Sequence, residues 1–220
     1  VTPRDLAGAA IDLDLDASTP ADPAAAPVAE IDRDLDLELD IVSALEPGDS
    51  HGLETISSDP SDIRSAFGKF PSGVAALCAD IAGEPTGLVA SSFSVGVSYH
   101  PPLVLFSVQN SSTTWPVLRQ AGRIGVSILG SAHARECYQL ASRTGDRFAG
   151  LDTRTTDLGA LFIEGSSLWL DCEIYSETPA GDHTIVLLEV KSLKVSDDHD
   201  PLIYHSAAFR SLLPAAPKAA

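Results

Sequence analysis

Two short segments constrain this chain more than any other feature. Leu103–Val108 is an apolar run interrupted only by Ser107, and Thr184-Ile185-Val186-Leu187-Leu188-Glu189-Val190 is dense in β-branched residues. Both are too short for buried helices and have the composition of strands covered on at least one face. Further strands are expected at 74–81, 87–97, 124–129, 160–164 and 167–176, with 184–195 as the long last one, and Pro201–His205 is expected to close the sheet. Gly83-Glu84-Pro85 marks the turn after the first of these. Helical spacing is confined to three places. One helix is capped by Asp59 or Ser61 and runs through Ile63, Ala66, Phe67 and Phe70 until Pro71-Ser72-Gly73 stops it. A short one covers 114–121, with Pro116 in its first turn, and another covers 132–142. Many short strands, few helices and turn signals every ten or so residues predict a mainly β fold. The expected form is an antiparallel β-barrel with a few short flanking helices. The regular strand–helix alternation of a doubly wound sheet is absent, and so is a G-x-G-x-x-G after a strand.

Charge divides the chain into regions. Residues 1–60 hold 15 Asp/Glu against 2 Arg, whereas residues 61–220 are close to balanced within a total of −17. Residues 1–58 are therefore expected to form a separate, largely disordered acidic extension. Its acid–aliphatic alternation at Ile11–Asp16 and Ile31–Ile41 also leaves room for a partner-docking segment or a strand. Residues 59–213 are expected to be the folded domain and 214–220 a frayed Ala/Pro tail. The acidic balance disfavours nucleic acid as a partner. No apolar run reaches the length of a bilayer span, and no basic-then-apolar leader is visible. Cys78, Cys137 and Cys172 are widely spaced and form no metal-ligand pair, so three reduced, buried thiols in a cytoplasmic protein are expected. The sequence opens on Val1 and contains no Met, as a GTG start read literally would give.

Four stretches can carry chemistry. Gly87-Leu88-Val89-Ala90-Ser91-Ser92-Phe93 is small and hydroxyl-rich inside a strand pattern. Alternation sets Val89, Ser91 and Phe93 on one face and Ala90 and Ser92 on the other. Such a strand suits either a half-buried wall or the edge of a flat heterocycle. Gln109-Asn110-Ser111-Ser112-Thr113-Thr114-Trp115-Pro116 joins a buried strand to a helix, so its hydroxyls serve either as an N-cap or as an anion site. A basic partner for the anion would come from Arg143, Arg147 or a second subunit. Asp146-Arg147-Phe148 is either a solvated surface feature or a loop that closes over an aromatic ring. His183, in Ala180-Gly181-Asp182-His183-Thr184, is either structural or placed to hydrogen-bond a ligand. No spacing suggests a zinc site, and no G-x-S-x-G elbow accompanies the serines.

Taken in order, these stretches resemble the short-chain flavin reductases, the FMN-binding split-barrel proteins that often supply reduced flavin to a partner monooxygenase. The likeness runs from about Ile63 to Leu212. Besides the four stretches it includes Phe70-Pro71-Ser72-Gly73-Val74, Pro101-Pro102-Leu103-Val104 and Pro201-Leu202-Ile203-Tyr204. The resemblance implies an NAD(P)H-dependent reductase that passes hydride from NADH or NADPH to FMN or FAD, and a homodimer with shared pockets. It places Val89, Ala90, Ser91 and Ser92 on the flavin ring. It sets Gln109, Asn110, Ser112 and Thr113 on the ribityl chain and phosphate. Asp146, Arg147 and Phe148 would close the site, and His183 would face the nicotinamide. Two departures stand out. Val89 replaces a Thr common in the family, and Ser94–His100 is one residue longer than the usual link and carries Tyr99-His100 where an acid often stands. A non-catalytic flavin carrier on the same barrel is the main alternative. A scaffold whose acidic arm docks a partner and an oxidase of small molecules such as pyridoxamine phosphate are the others.

Overall fold

The structure is a computed structural model, and it describes residue 53 and residues 55–213. The expectations for residues 1–52, for Glu54 and for the 214–220 tail lie outside the described residues. Among the described residues, the barrel lies within one compact unit formed by residues 64–213.

Helix α1 (Pro60–Phe67) starts where the capping residues place it. The Ser61 amide donates to Asp59 Oδ1 at 2.8 Å, and this bond holds the Asp59 carboxyl below its ordinary pKa. None of its residues is buried, so its apolar side chains add nothing to the core. After it come β1 (Ser72–Gly73), β2 (Ala75–Ile81), β3 (Glu84–Ala90), β4 (Ser94–Tyr99) and β5 (Pro102–Gln109). Then follow α2 (Trp115–Leu118), β6 (Ile124–Ile128), α3 (Ala134–Leu140), β7 (Thr153–Thr155) and β8 (Leu161–Ile163). The long hairpin of β9 (Leu168–Ala180) and β10 (His183–Val195), then β11 (Ile203–His205) and β12 (Ala208–Arg210), complete the chain.

The main sheet has seven antiparallel strands in the order β3-β2-β6-β9-β10-β5-β4. Strands β3 and β4 stand at opposite edges, yet only Ser91, Ser92 and Phe93 join them. A flat sheet would put those edges about 29 Å apart, and the link from Ala90 to Ser94 spans at most about 14 Å. The sheet therefore rolls until its edges approach. Ser92 holds the seam: its hydroxyl donates to the Ser107 carbonyl at 3.0 Å and accepts from the Ser107 amide at 3.2 Å, extending the β4–β5 ladder past the Ser94–Leu105 pair.

Strand β2 explains why the barrel has two cores. Ala75, Leu77 and Ala79 face one cluster, with Phe106, Val126, Leu170, Val186 and Leu188. The alternate residues Ala76 and Cys78 face a second, with Val89, Leu140, Leu161, Ile163 and Leu202. A strand covered on both faces reads as a continuous apolar run, which is the pattern seen at 74–79. On the second side β8 crosses β6 so closely that Gly125 has no room for a side chain: a Cβ would lie 2.3 Å from the Leu161 carbonyl oxygen.

Three expectations change. The segment 87–97 is not one strand, because the chain must bend at Ser91–Phe93 to close the barrel. Val89 and Phe93 consequently pack against different clusters and do not share a face. Pro201–His205 does not close the main sheet: β11 pairs with β1 and β12 in a separate three-stranded sheet, and only Pro201 bridges back, to Gly130. Helix α2 is a single turn, shorter than 114–121.

Candidate functional site

Two polar clusters flank the loop that follows β5. The first is a cavity of about 360 Å³, within the size range of small-molecule sites. Its walls come from Pro85, Thr86 and Gly87 of β3, from Thr113, Thr114 and Val117, and from Gly145–Phe148. Arg147 is its cation. The guanidinium donates to the Thr114 hydroxyl at 2.9 Å and to the Gly87 carbonyl at 3.2 Å, which fixes it against two distant parts of the chain. The loop that carries it is folded by its own residues. Asp146 Oδ1 accepts from the Phe148 amide at 2.9 Å, and Gly145 turns the chain at φ +82°. Gln139 of α3 secures the loop from behind, donating to the Arg147 and Ala149 carbonyls at 3.3 and 2.8 Å. Phe148 packs over Gly87, where a Cβ would sit 3.1 Å from its ring and 2.5 Å from Cys78 Sγ.

The hydroxyls of the loop divide their work. Ser112 is buried and its Oγ accepts from the Trp115 amide at 3.0 Å, which ties it to the first amide of α2 from two residues before the N-cap position Thr114. Thr114 is buried against Arg147, and exposed Thr113 lines the cavity. One helical turn carries little macrodipole, so an anion here would rest on Arg147 and Thr113 and not on α2. Arg143 is exposed and does not line the cavity.

The second cluster surrounds His183 at the first position of β10, paired with Gln109 at the end of β5. The imidazole Nδ1 lies 2.7 Å from Asp182 Oδ1. A carboxylate only accepts, so Nδ1 carries the proton and Nε2 is turned away from Asp182. The same bond holds the Asp182 carboxyl below its usual range. Asn110 ties this turn down. Its amide N–H donates to the Asp182 carbonyl at 2.9 Å, its Nδ2 to the Gly181 carbonyl at 3.3 Å, and its Oδ1 accepts from the Thr184 hydroxyl at 2.9 Å.

The structure thus brings Thr113, Asp146, Arg147 and Phe148 to one cavity, and Gln109, Asn110 and His183 to one turn. Val89 and Ala90 are buried in the two core clusters, Ser92 is bonded to β5, and Ser91 is half-buried beside it. Gln139, Asp182 and Thr184 were not among the expected residues. Asp182 and Thr184 adjoin His183 in sequence and were open to notice. Gln139 is one polar residue on a helix, with no signal of its own.

A family profile for the flavin reductase like domain matches residues 67–213. This chain belongs to that family. It is accordingly an NAD(P)H:flavin oxidoreductase, and its sheet is a flavin reductase split barrel. Among relatives, a flavin reductase of Pseudomonas putida is 38% identical over 152 residues, covering 69% of this chain and 89% of the relative. The HsaB reductase subunit of a flavin-dependent monooxygenase from Rhodococcus jostii is 31% identical over 156 residues, 71% of this chain and 80% of that one. Among solved structures, the NADH:FAD oxidoreductase SgcE6 of Streptomyces globisporus, in complex with NAD and FAD fragments, is 30% identical. It superposes with a TM-score of 0.69 over 75% of this flavin reductase and all of that chain. The three cysteines are free and buried, and burial pushes their thiols up to about 12. Among the described residues no helix is long and apolar enough to cross a membrane, and no cluster of ligands fits a metal ion.

Proposed function

We propose that the Arg147 cavity receives the phosphate end of the flavin and that His183 meets the nicotinamide. The observation that carries this is the placement of Arg147: a half-buried guanidinium, locked to Gly87 and Thr114, faces a cavity beside the Thr113 hydroxyl. The residues fit a phosphate-bearing ligand. Arg147 supplies a fork of fixed donors, Thr113 a hydroxyl, and Gly145 an open rim with nothing within 4 Å of where a Cβ would sit. When bound, the flavin supplies the hydride-accepting chemistry.

The chain's own part is orientation. Arg147 and Thr113 anchor one end of the ligand, and Phe148 keeps water from the wall beside Gly87. The Ser91–Phe93 bend offers backbone groups at the barrel seam. His183, with Nδ1 held by Asp182, would orient a carboxamide or carry a proton beside the reacting ring. No paired carboxylates are required of this reaction, because no strong acid or base takes part.

Reduced flavin would pass to a monooxygenase component, as the relatives that are reductase subunits suggest. A second copy of the chain would complete the enzyme. Strand β4 supports this: among the described residues it is bonded only to β5, and Val95, Val97 and Tyr99 are exposed along it. An apolar edge of this kind invites a partner. Sedimentation should give twice the chain mass, and Val97→Asp should halve it.

Stopped-flow absorbance tests the activity. Anaerobic mixing of protein and FMN or FAD with NADH, then NADPH, should bleach the flavin band rapidly with at least one pair. Flavin that binds and stays oxidised would make the protein a carrier.

A further inference from the structure

We infer that Asn110 is a positioning residue: it acts through the turn that carries His183 and not by touching the flavin. The inference rests on the reading of His183 given above. The β5–β10 ladder pairs Gln109 with His183 and ends there. Beyond that pair the two-residue loop Gly181-Asp182 would stand alone, with Gly181 at φ +66°. Asn110 continues the ladder past its end. Its amide N–H reaches the Asp182 carbonyl at 2.9 Å, and its side chain closes on both flanks of the loop, at the Gly181 carbonyl and the Thr184 hydroxyl. One planar amide thus holds the residues on either side of the Asp182–His183 pair.

The consequence is a coupling between the two clusters. The segment that leaves β5 through Asn110 goes on to Ser112, which accepts from the first amide of α2, and to Thr113 and Thr114 at the Arg147 cavity. Trp115 is held in turn by Glu177 of β9, which accepts from its indole at 2.9 Å and pairs with Arg119. The loop is therefore fastened at both ends to the same β9–β10 hairpin. Asn110 sets where His183 stands relative to a ligand held by Arg147.

The test compares Asn110→Ala, Thr184→Val and the double variant in three measurements. These are NADH kinetics at saturating flavin, flavin affinity by fluorescence quenching, and hydrogen exchange through residues 180–186 of the flavin-free protein. Each single variant should raise KM for NADH or lower kcat about three- to tenfold, the effect of one or two lost hydrogen bonds. Flavin affinity should stay within about twofold. The double variant should be no worse than the worse single one, because the partners act as a unit. Exchange in the turn should quicken in both, and Thr184→Ser, which keeps the hydroxyl, should restore kinetics and protection. A large loss of flavin affinity in Asn110→Ala alone overturns the inference, and so do additive kinetic effects or unchanged exchange. If His183→Ala leaves the NADH parameters untouched, the reading of His183 fails, while the exchange data still decide whether the clamp exists.

Discussion

Strand β2 and the 109–114 segment are held by opposite means. Every residue from Ala75 to Cys78 is fully buried, bonded in a ladder to β3 on one side and to β6 on the other, and packed on both faces by apolar side chains. The 109–114 segment has no such packing below Trp115. A few polar bonds fix it, to Asp182, Thr184 and Arg147. The first region is dense, apolar and intolerant of added volume. The second is sparse and specific, so its residues can be exchanged with little risk to the barrel. Stability and chemistry are carried by separable parts of one small domain.

Four experiments press on that contrast, from the largest effect to the smallest. Gly125→Ala puts a methyl into the Leu161 backbone, which cannot retreat as a flexible side chain would. It should destabilise the fold by about 2–3 kcal/mol, read in denaturant unfolding. A stable variant with an unchanged midpoint would show that β8 yields, and that the wall is softer than described. Arg147→Met should leave that midpoint almost unmoved and weaken flavin binding about 10- to 100-fold, the loss of charge-assisted hydrogen bonds to an anion. Equal losses for flavin with and without its phosphate would place the phosphate elsewhere.

His183→Ala should lower NADH-dependent turnover about tenfold while flavin still binds, since it removes an orienting contact and not the hydride acceptor. Loss of flavin binding with intact turnover per bound flavin would contradict that role. The smallest effect belongs to the cysteines. With thiols pushed up to about 12 by burial, Cys78, Cys137 and Cys172 stay protonated and shielded at neutral pH. A thiol reagent should therefore react only as the protein unfolds, and activity should be unchanged until then.

How far this was legible in the sequence follows from the range of the interactions involved. The strands β2, β5, β6, β9 and β10 were readable because apolar runs and β-branching are local properties. The Asp59 cap was readable for the same reason. Strands β1, β7 and β12 were not, since two- or three-residue strands exist only through their partners. The bend at Ser91–Phe93 was hidden because its residues are compatible with a continuous strand. Arg147 was one of several candidate cations, and only its bonds to Gly87, 60 residues away, and to Thr114 single it out. Ser112 carried two readings that no local pattern separates, a cap and an anion ligand. Its Oγ accepts from the Trp115 amide, a contact no local pattern announces.

The sequence by itself therefore determined the longer strands, the turn at Gly83-Glu84-Pro85, a mainly β fold without strand–helix alternation, and the order of motifs that marks a flavin reductase. These depend on side-chain period, turn chemistry and spacing, which act over a few residues. The tertiary structure alone decided that β3 and β4 lie on opposite edges of the sheet, so that a three-residue link forces it to roll. That closure seats Ser92 on Ser107. The packing of the loops over the rolled sheet brings Arg147 to Thr114 and ties Asn110 to the turn of His183. Such pairings join residues dozens of positions apart, and they are chosen by the one way in which a rolled, two-sided sheet can bury both of its faces.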